Sequence, residues 1–320
     1  MMLRRLVGAA VIVGAVMTLT GGLAPLLPQA DLANHFRPYT LAGSGALLAL
    51  ALAARMPGAA RWGAILTAVN AALLPLPLLW SAETTNSRVL GQALAASGHR
   101  DIKIVTFNIY KGNDQYEKVA HFLLREDADI ILLQEVTEPH VAALRPLLAT
   151  RYPHSHACIG RRLCRSAIFA KRPWVSVEHV YRGDETPEVI SARFDDAELG
   201  RFHLCGVHAA VPFRSRQAKQ LDWLIARRLS TTGTAIFAGD FNTTPWSYQL
   251  QRLLASTGLR RHATFLRSWP TVGQFGLPPP ALLIDHVLTT PDIRTVWIKT
   301  GPNLGSDHLP IIAVLRLPAS

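Results

Sequence analysis

The sequence predicts an α/β (α+β) domain that is preceded by about three transmembrane helices. Residues 1–94 carry only six basic and two acidic side chains, out of 33 and 22 in the whole chain of 320 residues. Beyond residue 100, short apolar runs of strand length alternate with helical segments, which is typical of an α+β or layered α/β sandwich. A disordered chain or a cysteine framework is excluded, because 49% of the residues are hydrophobic and only three are cysteines.

Three uncharged stretches near the N-terminus are candidate membrane spans. Residues 6–27 are long enough to cross a hydrocarbon core of ~30 Å at about 1.5 Å per residue. Residues 39–54 form a short or tilted span, and residues 62–80 lie between Trp62 and Trp80, as in an aromatic belt. A cleaved signal peptide is the alternative for the first stretch, although two further stretches follow it.

Basic residues predict the orientation of these spans. Arg4 and Arg5 precede the first span, and Arg55 and Arg61 lie between the second and the third. The positive-inside rule places these residues in the cytoplasm, so the C-terminal domain would lie in the periplasm or outside the cell, attached to a multi-pass inner-membrane region. The inverted topology, with a cytoplasmic domain, stays open. The predicted organisation is a transmembrane region at 1–81, a linker at 82–100 and a folded domain at 101–320.

The folded domain alternates between strand and helix patterns. Apolar residues recur at helical spacing in three segments, and strand-length apolar runs separate them. A Pro- and Gly-rich stretch is predicted to be a loop. Strands are predicted at 102–107, 130–133, 166–170, 174–180, 188–194, 202–207, 235–238, 284–289, 294–298 and 310–316, helices at 114–125, 139–148 and 214–229, and the loop at 267–281.

The cysteines and the net charge give only general indications. Cys158 and Cys164 are six residues apart in a polar stretch and would close a small disulfide loop in an oxidising compartment, with free thiols as the alternative. Cys205 lies in an apolar run and is predicted to be a buried thiol. The domain is basic, which favours polyanions in general, whether nucleic acid, lipid headgroups or sugar phosphates.

Polar side chains interrupt the apolar runs at six places, each at a predicted strand end or close to one. Layered sheets commonly carry their sites there. A carboxylate that ends a buried strand needs a cation, and Mg²⁺ suits such a hard oxygen ligand. Two residues at positions i and i+2 share one face of an extended backbone. The residues are Asn108, Glu135, His208, the i, i+2 pair Asp240 and Asn242, Asp285, and the adjacent pair Asp307 and His308.

Each of these residues also has a purely structural interpretation. Asn108 is often a turn residue, Glu135 would suit a salt bridge at a strand end, and His208 would suit a satisfied core or surface position. Asp240 and Asn242 would serve as turn and cap residues. All of these explanations would have to hold at once, and the recurrence at strand ends therefore favours one site.

The motifs QEV, GDFN and SDH, which occur in this order, resemble the endonuclease/exonuclease/phosphatase superfamily. The resemblance extends from about residue 102 to residue 317. It implies a four-layered α/β sandwich of the DNase I-like type, with the site at one end of two packed sheets. The apolar N-terminal third is similar to that of the membrane-anchored bacterial members of the superfamily.

The resemblance implies a metal centre and a set of catalytic residues. Glu135 corresponds to the principal Mg²⁺ ligand, assisted by Asn108 and Asp307, with Mn²⁺ as an alternative ion. The remaining residues act on the phosphate. They are Asp240 and Asn242, which position water and phosphate, His308 as base or phosphate-facing imidazole, Asp285, which orients it, and His208, which helps to protonate the leaving oxygen.

The predicted function is therefore a membrane-tethered, Mg²⁺-dependent phosphoesterase that hydrolyses a phosphodiester or a phosphomonoester. A divalent ion and fixed hydrogen-bond donors would stabilise the charge that develops on phosphate oxygens. The expected partners are a phosphate-ester substrate, lipid-linked or nucleic acid, and the lipid bilayer, with no obligate protein partner. The alternative is a catalytically inactive, membrane-anchored binding protein for anionic phosphate-bearing ligands.

Overall fold

A computed structural model of the chain describes two regions, an N-terminal helical bundle and a two-sheet domain. The predicted linker at 82–100 lies outside the described residues except for Arg100, and so does the end of the third predicted span. The described residues are 2–74, 100–159, 165–213, 216–229, 232–262, 265–271 and 281–318.

The N-terminal bundle contains three longer helices, α1 (Met2–Gly22), α3 (Arg37–Ala53) and α4 (Pro57–Leu73). Between α1 and α3 lie a 3₁₀ turn (Pro28–Asp31) and the short helix α2 (Leu32–His35). Among the described residues, α1 alone is long and apolar enough to cross a membrane, and a signal sequence would satisfy the same criterion.

The prediction of about three spans is therefore corrected to one candidate span. Helices α3 and α4 have 17 residues each, which corresponds to about 26 Å at 1.5 Å per residue and is shorter than a typical hydrocarbon core. Only residues 62–73 of the third predicted span lie in α4, and residues 75–80 are outside the described part of the chain.

Two six-stranded sheets form the second region. The first sheet has the order β11-β12-β1-β2-β4-β3 and the second β5-β6-β7-β8-β10-β9. The strands are β1 (Arg100–Asn108), β2 (Ile130–Gln134), β3 (His154–Cys158), β4 (Ser166–Ala170), β5 (Ser176–Val180), β6 (Glu188–Asp196), β7 (Gly200–His208), β8 (Ala235–Asp240), β9 (Arg260–Arg261), β10 (Asp285–Thr289), β11 (Arg294–Thr300) and β12 (Ile311–Leu317).

The two sheets pack face to face because successive side chains of a strand point to opposite sides. In β1, Ile102 and Ile104 lie in the core between the sheets, whereas Val105 and Phe107 lie in the core under the outer helices. Strand β2 shows the same alternation, so its uninterrupted apolar sequence reflects burial on both faces.

Four helices cover the outer faces of the sheets. Helices α5 (Tyr116–Glu126) and α6 (Glu138–Leu148) pack on the first sheet, and α7 (Arg216–Leu229) and α8 (Tyr248–Thr257) pack on the second. This arrangement of helices, sheet, sheet and helices confirms a mixed α/β fold with two sheets.

Two strands were not predicted from the sequence. Strand β3 is an edge strand of half-buried polar residues, so its sequence lacks an apolar alternation, and β9 has only two residues.

Of the cysteines, Cys158 is disulfide-bonded and Cys205 is a free, buried thiol, while Cys164 lies outside the described residues.

Candidate active site

The candidate site lies at one end of the sandwich, where five strands meet. Strands β1 and β2 run parallel and place Asn108 opposite Gln134, immediately before Glu135. In the second sheet, β7 and β8 run parallel with His208 opposite Asp240, and the antiparallel β10 places Asp285 opposite Asp240 as well. The strand ends of the two sheets therefore bring the predicted residues together.

Asn108 is the residue that connects the two sheets at this end. Its buried side-chain amide donates to Asp240 Oδ2 at 3.1 Å and to Glu135 Oε1 at 3.4 Å, and lies 3.5 Å from His308 Nε2. Its Oδ1 accepts a hydrogen bond of 3.1 Å from the backbone N–H of Tyr110. The amide is therefore fixed in orientation, with its donor end toward the carboxylates.

Glu135 follows β2 directly, in a left-handed backbone conformation with a φ of 58°. Its Oε2 accepts from the backbone N–H of Lys111 at 3.2 Å, and its Oε1 lies 4.0 Å from His208 Nε2. Burial acts to raise the pKa of Glu135, but the charge of His208 and these hydrogen bonds lower it below the usual value. The carboxylate is thus kept ionised.

Asp240 and Asn242 meet, although not for the reason that the sequence indicated. The strand ends at Asp240, and Asn242 has a φ of 50°, so the two residues do not share an extended backbone. The turn instead folds Asn242 back, and its Nδ2 donates to Asp240 Oδ2 at 3.2 Å and to the backbone oxygen of Ala209 at 2.9 Å. Burial and the nearby charge of Asp285 raise the pKa of Asp240 to about 6.

His308 and Asp285 form a buried pair. His308 Nδ1 donates to Asp285 Oδ2 at 2.8 Å, which leaves Nε2 facing Asp240 Oδ2 at 3.7 Å. Burial alone would lower the pKa of His308, but the charges of Asp285 and Asp240 raise it to about 10. Asp285 is the first residue of β10, which begins one residue later than the strand predicted at 284–289.

His208 has a carboxylate partner that the sequence analysis missed. The Oε2 atom of Glu188, the buried first residue of β6, lies 3.9 Å from His208 Nδ1, and its other oxygen accepts from the hydroxyl of Ser166. Burial acts to lower the pKa of His208, but Glu188 and Asp240 raise it to about 9. A carboxylate at the start of the apolar run EVISARF is the signal that was available.

A cavity of about 390 Å³ opens over these groups. Asp307 lines it, and its Oδ2 accepts from Trp269 Nε1 at 3.2 Å. Lys111 and Arg165 lie on the same wall as Glu135, which gives the acidic cavity a partly basic rim. The structure thus brings all eight predicted residues to one end of the sandwich, with Asp285 behind His308.

The side chains at this end offer the donor set of a cation site. One oxygen or nitrogen from each of Asp240, Asp285 and His308 lies within 4.8 Å of the others. Glu135 and Asp307, from the predicted metal set, line the same cavity, and Asn108 contacts Glu135. Carboxylate oxygens around an open volume fit Mg²⁺, a hard cation that retains several waters.

Comparisons with known proteins agree with this geometry. The profile of the Endonuclease/Exonuclease/phosphatase family matches residues 105–308. No curated protein matches significantly. Similar solved structures include an endonuclease/exonuclease/phosphatase from Bacteroides vulgatus, with 20% identity, a TM-score of 0.58 and coverage of 68% of this chain and 99% of that one.

Two further solved structures have names that state a ligand or an activity. D. rerio TDP2, complexed with single strand DNA product, is 14% identical with a TM-score of 0.56, over 67% of this chain and 98% of that one. Sphingomyelinase C from Streptomyces griseocarneus is 17% identical with a TM-score of 0.52, over 67% and 99%. At these identities the likeness shows the fold alone.

Proposed function

Because the chain belongs to the Endonuclease/Exonuclease/phosphatase family, whose members are phosphoesterases, we propose that it is a membrane-tethered, Mg²⁺-dependent phosphoesterase. The observation that carries the proposal is the convergence of Asn108, Asp240 and His308 within hydrogen-bonding or ion-pair distance, although they lie on different strands and loops. The names of two similar proteins refer to single strand DNA and to a sphingomyelinase. The proposal therefore includes both phosphodiesters and phosphomonoesters, of lipid or of nucleic acid.

Glu135 would hold the metal ion, with Asp307 as a further ligand. Asn108 would join them once its amide turned to direct Oδ1 rather than Nδ2 toward Glu135. When bound, a divalent ion neutralises negative charge on a phosphate ester. The backbone N–H of Lys111 fixes one oxygen of Glu135 and leaves the other toward the cavity. The carboxylate is ionised near neutral pH, as a cation ligand must be.

His308 and Asp285 would act as a unit on the phosphate. Asp285 holds the Nδ1 proton of His308, so that Nε2 is the nitrogen presented to the cavity. The charged imidazole would stabilise negative charge on the phosphate oxygens, because preorganised donors in a buried site lose little energy in reorganisation. Asp240, fixed by Asn242 and Asn108, is placed to orient an attacking water.

His208 would serve the leaving oxygen. It lies beside Asp240 on the adjacent strand, with its Nε2 3.9 Å from Asp240 Oδ2, and Glu188 lies 3.9 Å from its Nδ1. An imidazolium in this place can donate a proton to a leaving alkoxide, which is general acid catalysis. Ala209 and Ala210, which follow His208, also line the cavity, so no polar side chain follows directly to assist it.

The attachment to a membrane would depend on α1, the one candidate span. We propose that α1 crosses the membrane and that the catalytic domain lies on the periplasmic or outer side. Arg4 and Arg5, near the start of α1, favour a cytoplasmic N-terminus and therefore this orientation. A reporter fused to the C-terminus distinguishes the two sides.

Hydrolysis of a generic phosphodiester by the full chain in detergent tests the proposed activity. We expect turnover with Mg²⁺, loss of turnover with EDTA, and loss of at least about 100-fold in His308→Ala. His121→Ala, which changes an exposed histidine on α5, is the matched control and should keep full activity. Binding of phosphate-bearing ligands without any turnover would instead identify the inactive binding protein.

A further inference from the structure

The N-terminal bundle is joined to the two-sheet domain through a buried carboxylate, that of Asp31. Both oxygens of Asp31 accept hydrogen bonds from the start of α8, at 2.6 Å from Ser247 Oγ, 2.8 Å from the N–H of Tyr248 and 3.0 Å from the N–H of Gln249. Asp31 is only 1% exposed. Since the first N–H groups of a helix lack partners inside it and favour negative charge, this contact is a cap that a distant part of the chain supplies.

Three further contacts fix the same interface. Trp246 Nε1 donates to the backbone oxygen of His35 at 3.1 Å, and the Tyr39 hydroxyl donates to the backbone oxygen of Ala281 at 2.8 Å. A small apolar cluster packs beside them. It consists of Leu41, Leu74, Trp246 and Leu283, which come from both regions.

Asp31 is also tied to the bundle, so the connection is rigid on both sides. Asn34 Nδ2 donates to Asp31 Oδ1 at 2.8 Å and to the backbone oxygen of Gly21 at 3.0 Å. A Cβ added to Gly21 would lie 2.2 Å from Asn34 Oδ1, so only glycine permits this approach. Leu41 in α3 and Leu74 after α4 pack with Trp246 and Leu283, so these ends of α3 and α4 face the domain.

The bundle docks at the end of the sandwich that carries the candidate site. Ser247 follows Asp240 by seven residues, and Leu283 precedes Asp285 by two. Leu282 pairs with Trp269, whose Nε1 donates to Asp307. Ala281, which Tyr39 contacts, is thus next to Leu282, and Leu282 pairs with Trp269 in the cavity wall.

The bundle surface that does not touch the domain is apolar. In α1, Ile12, Val16 and Leu19 are all more than half exposed, with Leu19 at 71%. Next to the bundle, Phe265 is 66% exposed and contacts the ring of Trp246 at 6.4 Å between centroids. An exposed apolar side chain beside this apolar surface would be stabilised by burial in a bilayer.

We propose that the contact around Asp31 holds the phosphoesterase domain in one orientation on the membrane anchor, with the site end at the bilayer surface, and that the substrate is a phosphate ester of a lipid held in that bilayer. This inference rests on the proposed function. The lipid headgroup would reach the cavity, past Lys111 and Arg165, without leaving the membrane. A fixed anchor at the site end would raise the effective concentration of membrane lipid at the cavity, because enzyme and substrate are held in the same bilayer.

The orientation is tested by spin labels on the full chain in phosphatidylethanolamine and phosphatidylglycerol vesicles. A label at Phe265→Cys should be accessible to oxygen dissolved in the lipid and protected from a water-soluble nickel reagent. Val175→Cys is the matched control, because Val175 is 70% exposed and precedes β5 at the opposite end of the sandwich. Equal exposure of the two labels to the nickel reagent would overturn the inference, whatever the enzyme hydrolyses.

The substrate class is tested by turnover of the same vesicles, a soluble bis(p-nitrophenyl) phosphate and a single-stranded oligonucleotide. We expect vesicle lipid to be hydrolysed in the wild type, and Asp31→Ala to lower that rate at least about tenfold more than it lowers the rate on the soluble diester. Asp31→Asn keeps one acceptor oxygen, so its rate on vesicle lipid should lie between those of the wild type and Asp31→Ala. Circular dichroism checks that both variants fold.

The outcomes separate the two proposals. Absence of turnover on every ester refutes the proposed function. Turnover of the soluble diester together with a preference for the oligonucleotide refutes the lipid substrate and leaves the phosphoesterase intact. Equal loss on vesicle and soluble ester in Asp31→Ala, with both variants folded, refutes the role of this contact in presenting the site to the membrane.

Discussion

Replacement of Asp285 by Asn removes the charge behind His308 and leaves the shape of the site unchanged. Asp285 is buried and does not line the cavity, so it meets the substrate only through His308. The bond of 2.8 Å from His308 Nδ1 is charge-assisted, and such bonds contribute about 1.5–3 kcal/mol. At about 1.4 kcal/mol for each factor of ten, Asp285→Asn should lower kcat about 10- to 150-fold.

The kinetics separate this effect from damage to substrate binding. Because the amide oxygen of Asn can still accept from Nδ1, the imidazole keeps its place and KM should change by less than about threefold. Asp101→Asn is the control, since Asp101 pairs with Arg316 at the opposite end of β1. A kcat within about twofold of wild type in folded Asp285→Asn would show that the charge of this pair does not contribute to the reaction.

Three other predictions concern stability and the second histidine. Gly239→Ala should lower the free energy of unfolding by several kcal/mol in thermal unfolding, because the new Cβ would lie 2.0 Å from the backbone oxygen of Val207. Gly258→Ala is the control and should cost only about 1 kcal/mol, because Gly258 has a φ of 68° but open space around it. Equal losses in the two variants would show that the clash at Gly239 is not the cause. Burial lowers the pKa of His262 to about 4, below its unfolded value, so its contribution is present above about pH 6.5 and is lost as the pH falls toward 4. The difference in unfolding free energy between wild type and His262→Gln should therefore shrink by about 3 kcal/mol between pH 7 and pH 4, and a constant difference would exclude this group. Glu188→Gln should lower kcat more for esters with a poor leaving group than for nitrophenyl esters, since Glu188 supports the proposed acid; an equal loss on both would assign it to folding alone.

Much of the fold could be predicted because its strands are buried on both faces. The first four residues of β2, from Ile130 to Leu133, are all apolar, and its flanking helices show clear helical spacing, so local sequence and tertiary environment agree. Strand β3 could not be predicted, since His154–Cys158 lies at a sheet edge and pairs on one side only, where hydrogen bonding to β4 replaces apolar burial.

Within the candidate site, the motifs identified the residues but not their partners. Asp240 and Asn242 are close in sequence and were correctly expected to meet, yet a left-handed turn at Asn242 brings them together. Glu188 was missed because it lies 20 residues before His208 in sequence, and only the pairing of β6 with β7 places the two opposite each other.

The amino-acid order alone determined the family, the two kinds of region and the polar residues that end the strands, because apolar periodicity and short motifs are local properties of a chain. Tertiary structure decided what depends on distant segments. It placed Asp31 on the first turn of α8, Glu188 beside His208 and one end of the helical bundle against the site end of the sandwich. Contacts of this kind join residues up to 242 positions apart, and local sequence patterns do not predict them.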